Sequence, residues 1–167
     1  MKKVAAIIGG GVIGAGWLAR FLINGWDVRV FDTDPEVERK VDEVLSNARR
    51  ALPMLYDSKL PEEGDLYFCS TLKDAVEDAL WIQESVPERL DIKHAVLSEI
   101  QQYCKKRAII GSSTSGFMAS QLQEKSSFPD QIMVCHPFNP VYLLPLVEVV
   151  PGSLTSDEHF QSAKTFL

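Results

Sequence analysis

The order of apolar and polar segments along this chain predicts an α/β domain with a mostly parallel sheet covered by helices on both faces. Short apolar segments suited to buried strands alternate with longer segments in which apolar residues recur at helical spacing. A glycine-rich turn follows the first of these strands and leads directly into the first helix. Because parallel strands need crossover connections, this alternation predicts successive β–α–β units.

The first half of the chain begins this series. Residues 3–8 form an apolar run that ends abruptly in glycine, as expected of a buried strand. Residues 13–24 carry apolar side chains on one helical face, and Gly25 ends this helix. A second strand is predicted over residues 27–32, and a charged helix over residues 35–51.

The second half continues the alternation with shorter elements. Strands are predicted at residues 66–69, 80–84, 108–110 and 131–135, and helices at residues 73–79, 91–103 and 119–124. A capping-box pattern from Thr155 to Glu158 opens a last helix. We therefore expect residues 1–152 to form one domain, and residues 153–167 to start a linker helix toward a C-terminal domain absent from this chain.

Composition argues against several classes of protein. The 167 residues carry a formal net charge of −6, so the chain lacks the basic surface that nucleic acids require. Glycines and Arg20 interrupt the apolar stretch over residues 4–23, which argues against a signal peptide or a membrane span. Cys69, Cys104 and Cys135 are interpreted as reduced, mostly buried thiols of a cytoplasmic protein, and no Cys/His cluster predicts a metal site.

The glycine-rich turn has the spacing of a dinucleotide-binding loop. In its GxGxxG pattern, Gly9 makes the tight turn, Gly11 lets a pyrophosphate approach the backbone, and Gly14 lets helix and strand pack closely. Asp32 ends the second strand, where a carboxylate accepts hydrogen bonds from the adenosine ribose and repels the extra phosphate of NADP. This Rossmann-type pattern predicts NAD as the cofactor. The alternative is a plain glycine-rich turn beside a helix-capping acid.

Two ionisable residues in the C-terminal half are candidates for chemistry. His136 follows an apolar strand, at the sheet edge where open α/β folds bind ligands. Glu148 is the only charged residue within residues 141–150, and a histidine is a suitable partner for it. As a pair they would form a general base, although a structural histidine and a salt-bridged edge carboxylate fit equally well. His94 and His159 fall on helices expected to be solvated, and are interpreted as surface residues.

Four segments together carry a family resemblance. IIGGGVIGAG, ESVPERLDIK, SSTSG and HPFNPVYLLPLVEVVPG occur in this order and resemble the N-terminal domain of the L-3-hydroxyacyl-CoA dehydrogenase superfamily over nearly the whole chain. SSTSG with HPFNPVYLLPLVEVV is most similar to the branch that oxidises L-carnitine. The acyl-CoA and gulonate (lambda-crystallin) branches stay as alternatives, as does a non-catalytic NAD-binding or structural protein. For carnitine, Phe117, Phe138 and Tyr142 are candidates to contact the quaternary ammonium group, although each also suits plain packing.

The resemblance implies an oxidoreductase that transfers a hydride between NAD and the 3-hydroxyl of a small L-3-hydroxy acid. It implies His136 as the catalytic base, Glu148 as its partner and Ser115 as a hydroxyl ligand of the reacting oxygen. The implied cofactor contacts are Gly9, Gly10, Gly11, Val12, Ile13, Gly14, Asp32, Glu88, Lys93, Ser115 and Asn139. A helical second domain would supply most of a homodimer interface and part of the pocket for the small-molecule substrate.

Overall fold

Strands and helices alternate in the computed structural model, which describes residues 3–167. Its strands are β1 (Val4–Ile8), β2 (Asp27–Phe31), β3 (Leu66–Phe68), β4 (Trp81–Glu84), β5 (Ile109–Ser112), β6 (Ile132–Pro137) and β7 (Val147–Pro151). Its α-helices are α1 (Val12–Ile23), α2 (Val37–Ala51), α3 (Leu72–Val76), α4 (Leu90–Tyr103), α5 (Ala119–Gln123) and α6 (Asp157–Phe166). Each predicted element is present within about three residues of its expected bounds. Met1 and Lys2, which fall in the predicted domain, lie outside the described residues.

The strands form one sheet in the order β3-β2-β1-β4-β5-β6-β7. Neighbouring strands are parallel from β3 to β6, and β7 pairs with β6 in the antiparallel direction. The chain switches its direction of travel across the sheet between β1 and β4, and a crevice opens at the carboxyl ends of these two strands. The predicted doubly wound, mostly parallel sheet is confirmed, and this crevice is where such folds bind ligands.

Apolar side chains cover both faces of the sheet. Helices α1, α2 and α6 pack on one face around Trp17 and Trp81, whereas α3, α4 and α5 pack on the other around Ile82 and Leu97. Successive side chains of a strand point to opposite faces, which places Trp81 and Ile82 in different core clusters. Full burial of one such aliphatic side chain stabilises the fold by about 1.5–3 kcal/mol.

The last helix begins one residue later than the capping pattern indicated. Ser156 rather than Thr155 is its cap, because the Ser156 hydroxyl accepts a hydrogen bond from the backbone N–H of His159 at 3.2 Å. The Thr155 hydroxyl instead donates to the Ile132 carbonyl at 2.7 Å and accepts from the Gly152 N–H at 2.8 Å. Thr155 thus ties the end of β7 to the start of β6.

The interpretation of His94 and His159 as surface residues is wrong. Only 7% of His94 and 8% of His159 is exposed. The His94 Nε2 atom lies 2.7 Å from the Gln121 carbonyl oxygen, and the His159 Nε2 atom lies 3.1 Å from that of Lys106. Both rings reach a carbonyl of another segment, a contact that helical periodicity does not reveal.

The cysteines are partly as expected. Cys135 is buried, whereas Cys69 and Cys104 are only half-buried. Burial raises the pKa of the Cys104 thiol to about 11, which keeps it protonated and unreactive at neutral pH. Within residues 3–167, no helix combines the length and the apolar character that crossing a membrane requires. The same residues contain no group of three or more His, Cys, Asp or Glu side chains arranged to hold a metal ion.

Candidate active site

A cleft of about 510 Å³ opens at the carboxyl ends of β1, β2 and β4. The loop of residues 9–11 forms its floor, Asp32 and Val37 line one side, and Val86 and Ile92 line the other. The apolar walls suit a flat ring system, and the carboxylate suits hydroxyl groups. The predicted cofactor loop and its acid therefore face the same cleft.

The glycines of the loop serve different purposes. Gly9 has a φ of 95°, and a Cβ there would lie 2.6 Å from the Ser85 carbonyl oxygen. A Cβ at Gly14 would lie 1.8 Å from the Gly9 carbonyl oxygen, so helix α1 could not pack on the loop. A Cβ at Gly11 would meet nothing within 4 Å. Gly9 and Gly14 are thus required by the fold itself, whereas the space beside Gly11 lies open to a ligand.

The amino end of α1 is available to an anion. Gly11 caps the helix without a side chain, and the first turn contains no acidic residue. The first backbone N–H groups of a helix have no partner within it, and they carry the positive end of its dipole. Val12 and Ile13, both predicted cofactor contacts, begin this turn. The arrangement fits the pyrophosphate of a dinucleotide.

Backbone donors fix the carboxylate of Asp32. One oxygen accepts from the Gly10 N–H at 2.6 Å, and the other accepts from the Asp34 N–H at 2.8 Å. Each oxygen has a second lone pair for a further donor, such as a ribose hydroxyl. Lys40 also borders this end of the cleft, where its ammonium group pairs with Asp34. The hydrogen bond from Lys40 lowers the pKa of Asp34.

A second cavity, of about 610 Å³, lies beside β6 and β7. Ser115, His136 and Glu148, the three predicted catalytic residues, all line it. In the antiparallel register of β6 and β7, His136 is directly opposite Glu148. Their side chains therefore lie on the same face of the sheet, and the His136 Nδ1 atom is 2.8 Å from a Glu148 carboxylate oxygen.

The contact between His136 and Glu148 determines which nitrogen of the histidine faces the carboxylate and which stays available to a substrate. If the ring is neutral, an Nδ1–H donated to the Glu148 carboxylate leaves Nε2 of His136 as the nitrogen that can accept a proton. The His136 side chain is 27% exposed and that of Glu148 is 58% exposed, so burial of the carboxylate is not the reason for the pairing. The ring of Phe138 packs edge-on against His136, with the centroids 5.7 Å apart.

The remaining predicted cofactor contacts lie between the two cavities or beside them. Lys93 is buried, with its ammonium nitrogen 2.7 Å from Glu84 and 3.3 Å from Glu88. Glu88 also accepts hydrogen bonds from the Thr114 hydroxyl and from the Gly116 N–H. Burial raises the pKa of Glu88, but these hydrogen bonds and Lys93 outweigh that effect and lower it overall. Glu88 thereby ties the segment after β4 to the loop that carries Ser115.

Asn139, unlike the buried Lys93, is an exposed residue. It lies exposed in the turn after β6, and its peptide bond to Pro140 is cis. It is two residues beyond Pro137, where β6 ends. Its role as a cofactor contact stays a prediction.

Sequence reasoning missed a set of buried polar side chains on β4 and β5. Gln83, Glu84 and Ser112 are all fully buried at the carboxyl ends of these strands. Glu84 accepts from the Lys93 ammonium, the Val86 N–H and the Ser112 hydroxyl, which accounts for its burial. The available signal was the polar pair at the end of WIQE, since polar groups in a buried strand need specific partners.

Comparison with known proteins identifies the family of this chain. A family model described as 3-hydroxyacyl-CoA dehydrogenase, NAD binding domain, matches residues 4–167. The chain is 63% identical to an L-carnitine dehydrogenase/betainyl-CoA thioesterase of Ruegeria pomeroyi, over 98% of this chain and 34% of the relative. It is 56% identical to an L-carnitine dehydrogenase of Mesorhizobium japonicum, over 96% of this chain and 44% of the relative. The chain thus spans less than half the length of these two relatives.

A solved structure gives the same picture of the fold. The chain matches 5-formyl-3-hydroxy-2-methylpyridine 4-carboxylic acid 5-dehydrogenase, an NAD+-dependent dismutase, with a TM-score of 0.90 and 31% sequence identity. The match covers 99% of this chain and 54% of that one. The chain belongs to the 3-hydroxyacyl-CoA dehydrogenase family as an NAD-binding domain, and its cofactor is NAD.

Proposed function

We propose that this domain binds NAD and supplies the proton-transferring groups of a dehydrogenase that oxidises the 3-hydroxyl of L-carnitine. The observation that carries the proposal is the His136–Glu148 pair, with a 2.8 Å contact, on the wall of a cavity next to the NAD cleft. The relatives from Ruegeria and Mesorhizobium named as L-carnitine dehydrogenases support the choice of substrate.

In the proposed reaction, His136 acts as a general base. Its Nε2 removes the proton of the substrate hydroxyl, while Glu148 holds the Nδ1–H tautomer and stabilises the imidazolium that forms. The Ser115 hydroxyl, exposed on the cavity wall, donates a hydrogen bond to the reacting oxygen. Bound NAD supplies the acceptor for the hydride that leaves the same carbon.

Aromatic rings near the base support a substrate with a quaternary ammonium group. Phe117 lines the cavity, and Phe138 is 36% exposed beside the His136 ring. The face of such a ring attracts a quaternary ammonium group through its quadrupole. Tyr142 instead packs against the core cluster on the α1 face, so Phe117 and Phe138 are the better candidates.

The domain is proposed to work within a longer polypeptide. Residues 153–167 would lead to a C-terminal domain that completes the substrate pocket and forms most of a homodimer interface. The greater length of the relatives supports this arrangement. We also propose a cytoplasmic location, the compartment in which free cysteines such as Cys69, Cys104 and Cys135 are kept reduced.

A turnover screen of the complete polypeptide tests the proposal. NAD reduction is measured with L-carnitine, L-3-hydroxybutyryl-CoA and L-gulonate, at saturating NAD. We expect kcat/KM for L-carnitine to exceed the other two by about tenfold or more, since L-carnitine alone carries the quaternary ammonium group that the rings of Phe117 and Phe138 would attract. Higher kcat/KM for either other substrate would assign the domain to another branch of the family.

A further inference from the structure

A buried glutamine on β4 connects the two segments that carry the proposed catalytic groups. Gln83 is fully buried, and its amide nitrogen lies 2.8 Å from the Ser113 hydroxyl and 3.3 Å from the Cys135 carbonyl oxygen. Ser113 is two residues before Ser115, and Cys135 directly precedes His136. The Gln83 side chain therefore contacts both of the segments that carry the proposed catalytic groups.

The orientation of the Gln83 amide is determined by its surroundings. The indole Nε1 of Trp81 lies 2.9 Å from the amide oxygen, and an indole N–H can only donate. The amide nitrogen must therefore face Ser113 and Cys135, where it donates both of its hydrogens. A flipped amide would place two donors against each other at Trp81, where both side chains are fully buried.

The neighbouring strand leaves room for this contact. Gly111 on β5 is paired with Gln83, and a Cβ there would lie 3.0 Å from the Gln83 amide oxygen and 2.9 Å from the Cys135 sulfur. The absent side chain lets the amide of Gln83 extend across β5 toward β6. The Ser113 hydroxyl continues the chain of hydrogen bonds to the Ser85 hydroxyl, 2.8 Å away at the edge of the NAD cleft.

We propose that Gln83 is a positioning residue for the reaction, which holds the Ser115 loop and the His136 segment at a fixed separation through Ser113 and the Cys135 carbonyl. This inference rests on the proposed function of His136 and Ser115. Gln83 itself does not contact the substrate. Its effect is geometric, because a displacement of about 1 Å between reacting groups lowers a rate by about 10²-fold.

The test uses Gln83→Met in the complete polypeptide, since methionine has a similar length but makes no hydrogen bonds of this kind. We expect kcat to fall by roughly 10- to 100-fold, with the dissociation constant for NAD changed less than about threefold. Ser113→Ala removes one of the two contacts and is expected to lower kcat by a smaller factor. It also serves as the test if Gln83→Met does not fold.

Gln131 offers a matched control. It is 1% exposed, and its amide nitrogen donates to the carbonyl oxygens of Lys105, Lys106 and Ala108, at the opposite end of the sheet from the site. Gln131→Met should lower the thermal midpoint as Gln83→Met does, but leave kcat unchanged. If Gln83→Met and Gln131→Met lose the same stability and also have the same kcat, the positioning role of Gln83 is wrong.

A parallel His136→Gln variant separates this inference from the proposed function. If His136→Gln keeps wild-type turnover, the proposed function is wrong and the role of Gln83 fails with it. If His136→Gln is inactive while Gln83→Met and Ser113→Ala both keep wild-type kcat, only the positioning inference is wrong.

Discussion

The proposed site has two halves: the glycine-rich cleft, called the cofactor half, and the cavity beside β6 and β7, called the catalytic half. They hold their functional groups by different means. In the cofactor half, the backbone of residues 9–14 makes the site, and glycines keep side chains out of it. In the catalytic half, side chains make the site, through the contacts of His136 with Glu148 and of Gln83 with Ser113 and the Cys135 carbonyl.

This difference determines how each half responds to substitution. A backbone site fails by steric exclusion, because an added Cβ has no alternative position in a close-packed loop. A side-chain network instead loses individual interactions, each worth about 0.5–1.5 kcal/mol for a neutral hydrogen bond, or more when a charge is involved. We therefore expect abrupt losses of folding or binding in the first half, and losses of rate at preserved binding in the second.

The largest effect should come from the proposed base. In the complete polypeptide, His136→Gln should lower turnover by roughly 10²- to 10⁴-fold, because a general base contributes that factor. Its affinity for NAD should stay close to that of the wild type, since His136 lies outside the glycine-rich cleft. Glu148→Gln should lower turnover by a smaller factor, also with little change in NAD affinity. Stopped-flow turnover and cofactor titration measure the two quantities, and an equal loss of NAD affinity would contradict the separation of the two halves.

The glycine loop gives the next largest effect. Gly14→Ala should destabilise the domain by about 1–3 kcal/mol or more, because the new methyl group meets the Gly9 carbonyl oxygen at 1.8 Å. Gly11→Ala is the matched control, since its methyl group meets nothing in the protein. It should fold normally and lose NAD affinity alone. Urea denaturation and calorimetry of both variants decide the point, and a Gly14→Ala protein as stable as wild type would show that the loop can rearrange.

Asp32 should control the choice between the two nicotinamide cofactors. The domain is expected to bind NAD(H) more tightly than NADP(H), because the Asp32 carboxylate repels a 2′-phosphate. Asp32→Ala should reduce the preference for NAD(H), measured as the ratio of the NADP(H) to the NAD(H) dissociation constant, by about tenfold, equivalent to about 1.4 kcal/mol. Asp78→Ala, which removes an exposed carboxylate outside the cleft, is the control and should leave the ratio unchanged. Calorimetric titration of wild-type protein with equal or tighter NADP(H) binding would refute the assignment.

The smallest effect concerns acid stability. Folding lowers the pKa of Glu88. The stability that the ionised Glu88 carboxylate contributes is therefore complete above the usual glutamate pKa, and it is lost as the pH falls through the lowered pKa. The wild-type protein should therefore be more stable than Glu88→Gln at pH 7, and the difference should shrink below about pH 4.5. Urea midpoints of both proteins at several pH values measure this. A stability difference between the two proteins that grows as the pH falls would contradict this prediction.

The sequence predicted the two halves unequally well, for a physical reason. The glycine loop and Asp32 lie on one β–α–β unit, so their spacing along the chain nearly determines their spacing in space. The contact between Gln83 and Cys135 spans 52 positions and depends on the order of three strands. The burial of Lys93 likewise depends on an acid from a preceding strand. Local periodicity carries no information on such contacts.

The antiparallel strand β7 has a further consequence for the dynamics of the site. Among the described residues β7 pairs with β6 alone, whereas β6 has a partner on each side. An outer strand opens at lower free energy than an inner one, so the strand that carries Glu148 should open more readily than the strand that carries His136. Amide hydrogen exchange should be faster in β7 than in β6, and turnover should decline on warming before the domain as a whole unfolds. The upper working temperature of the proposed enzyme would then be limited by β7 rather than by the core.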